Sequence, residues 1–154
     1  MFKTFVKTDK SGVQLLLRLA LAVVMFPHGA QKVFGWFGGP GHEKTIEAFA
    51  DMGFPIWATV ALMVTELVGP ALLALGYLTR LWAFAMGTAI TICMFINHVE
   101  HGFFMNWLGR QKGEGFEYHI LVIAIALALL IGGGGAMSID RQLGSGGRRH
   151  RFTV

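Results

Sequence analysis

Residues 56–77 read IWATVALMVTELVGPALLALGY, and Glu66 is the one formal charge in that apolar run. An ionised carboxylate in hydrocarbon costs about 3 kcal/mol on insertion scales, so a chain keeps one where it faces a bundle interior, a wet cavity or a partner. Four residues on, Pro70 removes the amide that would bond the Glu66 carbonyl. The spacing predicts a kink at the carboxylate and a polar pocket beside it. Other titratable groups fall at matching depth. His28, Gln31 and Lys32 share one face near the end of an earlier apolar run, His98 and His101 close a later one, and Glu117 and His119 open the last. Glu66 itself sits about 15 Å below the same boundary by the helical rise. The inner half of the chain's spans offers almost nothing comparable, so the pattern predicts a pocket opened from the outer side.

Three chemistries fit such a pocket. A quinone needs hydrogen-bond donors at its carbonyls and two protons delivered inside a membrane, which histidines and a buried glutamate can carry. His98 and His101, three apart, could instead share a metal or a haem with His28 or His119. No metal motif of the HExxH kind is present, and the reading assigns no metal ligands. A lone intramembrane glutamate also suits transport of a proton or small solute, although the chain lacks the related second half of a transporter. His42 and His150 read as interface or capping residues.

These residues need spans to position them. The chain is 54% hydrophobic and 14% charged over 154 residues, with a mean hydropathy of +0.56, outside the soluble range. Four runs, 14–35, 56–77, 81–98 and 117–137, approach the roughly 20 apolar residues of a membrane helix. Lipid forces internal backbone bonding, so they are helices. The fold class is therefore all-α, an integral membrane four-helix bundle. Between the first two spans, GHEKTIEAFADMGFP sets Ile46, Phe49 and Met52 at helical spacing among charges, which predicts a short amphipathic interfacial helix. Residues 1–141 form the bundle, and 142–154 form a basic, glycine-rich tail.

Arg18 lies in the first run and is expected to snorkel toward cytoplasmic headgroups. With the N-terminus inside, nine Lys and Arg residues fall inside and four outside, which places both termini in the cytoplasm. The net charge of +4 then reports topology and the lipid bilayer rather than nucleic acid. Cys93 is the single cysteine and reads as an inert core residue, so dithiol chemistry is excluded. The outer loop from 98 to 119 is rich in aromatics and charges and is long for a connector. It is expected to cover a bound ring. Gly132 to Gly135 are expected to mark close helix approach within the fourth span.

The segments PHGAQKVFGWFGG, TELVGPALLALGYLTR and NHVEHGFFMNWLGRQKGEGFEYHILVIAIALALLIGGGG resemble the DoxX family, over about residues 13–141. The resemblance implies a small four-helix protein of the bacterial inner membrane. The founding type is associated with a thiosulfate:quinone oxidoreductase, and relatives are described in redox or oxidative-stress complexes. Carried onto this chain, the family positions are His28, Gln31, Lys32, Glu66, His98 and the segment from Glu117 to His119.

The expectation is a quinone-linked membrane oxidoreductase, or the membrane subunit of one. Glu66, His28 and Lys32 would act on protons and charge, and His28, Gln31, His98, His119 and Glu117 would hold the quinone. Either a partner subunit or a homo-oligomer would complete it. A transporter and a non-catalytic assembly partner stand as alternatives.

Overall fold

The computed structural model describes residues 5–8 and 10–145. The basic stretch Arg148, Arg149, His150 and Arg151 lies outside the described residues. The described residues include six α-helices: α1 Gly12–Phe34, α2 Gly41–Asp51, α3 Ile56–Leu75, α4 Thr79–Asn97, α5 Glu117–Gly132 and α6 Ile139–Ser145. Single 3-10 turns at Trp36–Gly38 and Val99–His101 follow α1 and α4. Among the described residues there is no strand. The helices α1, α3 and the run Thr79–His101 are long and apolar enough to cross a membrane.

Each span buries one stripe and shows apolar side chains on the rest of its surface, as lipid allows and water would not. Leu21, Met25, Leu73, Met86, Val122 and Leu129 meet in the core. Val13, Leu16, Val23, Phe84, Phe95 and Leu121 face outward. Small residues set the helix spacing. Gly69 packs against the side chains of Trp82 and Met86 where α3 meets α4, and Gly87 faces Ala126 across α4 and α5. The predicted interfacial helix is α2, which packs against the ends of α1 and α3. Buried Thr45 fixes it by donating to the Lys32 carbonyl at 3.2 Å and the Gly41 carbonyl at 2.7 Å.

Three expectations need correction. Arg18 does not snorkel. It is fully buried, and its Nη1 donates to the carbonyls of Leu73 (2.9 Å) and Ala74 (2.8 Å), while Nη2 reaches those of Ala136 (2.9 Å) and Met137 (3.4 Å). The last turn of α3 leaves carbonyls without intrahelical partners, and no water stands ready in lipid to take them. A guanidinium with five donors in a fixed fork answers that need, so tertiary acceptors outcompete the headgroups.

The same end of the bundle is not poor in polar groups either. Arg80 donates to the carbonyls of Leu130, Ile131, Phe5 and Lys7. Buried Asp140 accepts the amides of Leu78 and Thr79, both at 2.8 Å. That carboxylate caps α4 from outside and holds Leu78 at a left-handed φ of 50°.

The fourth span stops at Gly132 rather than running to 137. At 16 residues α5 is about 24 Å long. Gly133 and Gly135 adopt φ of 73° and 69°, which ends the helix and turns the chain under the bundle. A Cβ at Gly135 would meet the Ser11 carbonyl at 2.6 Å, and one at Gly133 would meet the Arg80 guanidinium at 2.9 Å. Gly132 packs closely on Gln14 of α1, as expected of a close helix approach, and the glycines after it make a tight floor. The segment after it forms α6, which carries Asp140.

Candidate functional site

The site begins with a helix contact. Pro70 has no amide to give the Glu66 carbonyl, and α3 nevertheless runs unbroken through it. Gly29 of α1 lies directly against that carbonyl, where a Cβ would stand 2.3 Å from its carbon and its oxygen. Only glycine lets the two backbones come this close. Three residues further along α1, Lys32 is then within reach of the Glu66 side chain. Its Nζ donates to Glu66 Oε2 at 2.6 Å, with the carboxylate side chain 7% exposed and the lysine 22%. A charge-assisted bond of that length is among the strong ones, and pairing is what permits a carboxylate at this depth.

The pair forms one polar patch on the wall of a cavity of about 520 Å³. The rest of the wall is mostly apolar, with Thr65, Thr88 and Asn97 as further polar side chains: Phe49 and Met52 from α2, Phe54 and Pro55 from the following turn, Trp57, Ala61 and Leu62 from α3, and Ala89, Ile92 and Cys93 from α4. Small residues on α3 and α4 leave the space, and α2 roofs it. Size and lining are those of a small-molecule site with few polar anchors. The aromatic surface comes from Phe49, Phe54 and Trp57; none of the residues from 102 to 116 lines the cavity. That loop instead folds on itself, with Phe103 packed edge-on to Phe104 and Phe116.

The remaining expected residues separate into distinct environments. His28 is exposed on α1 one turn before Lys32, where the charges of Lys32 and Glu66 act on it. Gln31 turns away and donates to the Phe37 carbonyl at 3.5 Å. Glu117 anchors the loop, accepting from the Met105 amide at 2.9 Å and from Trp107 Nε1 at 3.4 Å. His101 lies beside Glu100 at 3.6 Å and against Gly113.

His98 and His119 lie with ring centroids 4.1 Å apart and planes tilted by 44°, and the Cys93 thiol stands with them. Cys93, which reads from the sequence as an inert core residue, thus lies beside two histidines and lines the cavity. A cysteine five positions before His98 points to the same side once α4 ends and the 3-10 turn reorients the histidine. That reorientation, at a His98 φ of −125°, has no signature in helical spacing. Gly29 was also missed; its signal was the small residue one turn from a lysine that needs a partner.

A profile of the family described as DoxX matches residues 13–99, more than half of the chain, and the chain belongs to that family. The match covers α1 to α4, and with them Lys32, Glu66 and the walls of the cavity. A Haemophilus influenzae protein described as uncharacterized is similar, at 27% identity over 139 residues, covering 84% of this chain and 83% of the relative. No solved structure matches. The chain is thus a membrane protein of the DoxX family.

Proposed function

We propose that this protein is a quinone-linked membrane oxidoreductase, or the membrane subunit of one. The observation that carries the reading is the Lys32–Glu66 ion pair set into the wall of a largely apolar 520 Å³ cavity. A quinone is a planar apolar ring with two carbonyl acceptors, and these residues fit it: aromatic and aliphatic walls, with an ammonium beside an acid at one place. When bound, it supplies acceptance of two electrons and two protons.

Lys32 carries three donors, one of which goes to Glu66, so donors remain for a carbonyl oxygen. Its positive charge offsets the negative charge that develops there. Glu66 accepts from Lys32 at Oε2 at 2.6 Å, which leaves its Oε1 to take up and release a proton. His28, exposed one turn away, exchanges protons between this pair and bulk water. His98 and His119 lie behind Cys93 on the α4 wall and complete the polar surroundings.

Electrons come from a partner subunit, since a single cysteine leaves this chain no dithiol of its own. A thiosulfate-type or other oxidative-stress-related donor agrees with the family. The membrane is the bacterial inner membrane with both termini in the cytoplasm, so the cavity opens on the outer side.

Organic extraction of the detergent-purified protein tests the reading. Near-stoichiometric quinone is expected in wild type and a loss of most of it in Lys32→Met and in Ala61→Phe, which fills the cavity away from the pair. Equal quinone in all three proteins would contradict it. Proton or solute flux in liposomes without any electron donor, abolished by Glu66→Gln, would establish transport instead.

A further inference from the structure

We propose that Cys93, His98 and His119 form a binding site for a borderline-to-soft metal ion, Zn²⁺ or Cu⁺ in chemical type. The site goes beyond the quinone reading and stands independently of it. One ligand atom from each residue lies within 4.8 Å of the other two. Tetrahedral coordination sets such atoms about 3.3–3.6 Å apart, so a contraction of about 1 Å closes the site. Side-chain rotation supplies that much.

Two observations point to a ligand rather than to a packed cluster. His119 is 4% exposed, and its Nδ1 is buried with no hydrogen-bond partner. A polar ring nitrogen left bare in a membrane interior is costly unless something occupies it. His98, in contrast, has its Nδ1 2.9 Å from the Glu114 carbonyl oxygen. A carbonyl only accepts, so Nδ1 carries the hydrogen and Nε2 keeps its lone pair for an ion. That is the outer-shell arrangement that fixes the tautomer of metal-bound histidine.

One thiolate and two imidazoles favour zinc or copper over hard ions such as Mg²⁺ or Ca²⁺. On binding, the Cys93 thiol gives its proton to solvent and the thiolate sulfur bonds the ion, with no change of oxidation state. Three protein ligands leave a tetrahedral ion one further position. Cys93 also lines the 520 Å³ cavity, so a bound ion sits behind its α4 wall.

The test is Co²⁺ titration of the full-length protein, purified in detergent without a histidine tag and stripped with chelator. The expected result is one Co²⁺ per chain, with a near-ultraviolet thiolate-to-cobalt charge-transfer band that Zn²⁺ bleaches. Because Cys93 is the single cysteine, that band in wild type assigns the sulfur ligand without any variant. His98→Gln is expected to keep the band while weakening affinity at least about tenfold. Folded wild-type protein with no charge-transfer band in excess Co²⁺ overturns the site. Saturation at half an ion per chain also overturns it, in favour of a site shared between two copies.

Discussion

The two ends of this bundle each bury cationic side chains, and they use them differently. At the end where α1 begins, Arg18 gives four hydrogen bonds to carbonyls of α3 and of the turn before α6, and Arg80 gives four to carbonyls of α5 and the N-terminal segment. The acceptors there are backbone groups stranded at chain ends, so the cations act as mortar. Near the other end, Lys32 meets a carboxylate, and the pair borders empty apolar space rather than backbone. An arginine committed to four carbonyls has little left to offer a ligand. A lysine with donors to spare beside an acid does. Cation burial in a membrane protein therefore marks function only where the partner can itself change its protonation or where a cavity adjoins it.

Removing the mortar should have the largest effect. Arg18→Met strands the carbonyls of Leu73, Ala74 and Ala136, each worth about 1–3 kcal/mol when left buried without a donor. We expect a loss of about 3–5 kcal/mol in denaturant titration of the detergent-solubilised protein, or failure to accumulate. If the cavity holds quinone as proposed, whatever folds should retain it. Quinone loss at unaltered stability would invert the comparison.

Gly29→Ala should come next. The added Cβ meets the Glu66 carbonyl at 2.3 Å, so α1 and α3 must part. A destabilisation of about 1–3 kcal/mol is expected, with loss of bound quinone because Lys32 no longer reaches Glu66. Full quinone content in a stable Gly29→Ala protein would show that the pair is not needed.

A double-variant cycle sharpens the contrast further. Lys32→Met alone leaves a buried acid without its cation, at about 1–3 kcal/mol given the partial exposure of Lys32. Adding Glu66→Leu should restore most of that stability in the same denaturant titration, because two apolar groups pack where an ion pair stood. Quinone should stay absent. Recovery of quinone in the double variant would reduce the pair to a structural role. Glu117→Gln should have the smallest effect, under about 1 kcal/mol. It would loosen the loop around Met105 and Trp107, read as faster limited proteolysis there, with quinone unchanged.

The spans and the interfacial helix were legible in the sequence because lipid imposes length and apolarity on each run directly. Glu66 and Lys32 stood out for the same reason, as charges in places where charge is costly. Arg18 stood out too, but its direction did not. Lipid-exposed and buried positions are both apolar in a membrane helix, so periodicity says little about which way a side chain points. Its acceptors are backbone carbonyls, which no residue type advertises. Cys93 was hidden by the turn at His98, and the role of Gly29 by a contact 37 residues away in sequence, at Glu66. The loop aromatics misled because composition shows that a loop is structured without showing what it packs on. Here it packs on itself, and the ring-sized space lies under α2.

Photoaffinity labelling of the membrane-embedded protein with an azido-quinone tests the central claim most directly. If the cavity ending at Lys32 and Glu66 is the quinone site, cross-links should fall on residues 57–66 of α3 and 89–97 of α4. Excess unlabelled quinone should suppress them, and Lys32→Met should abolish them. Labelling confined to the 102–116 loop, or cross-links indifferent to competitor and to Lys32, would contradict it.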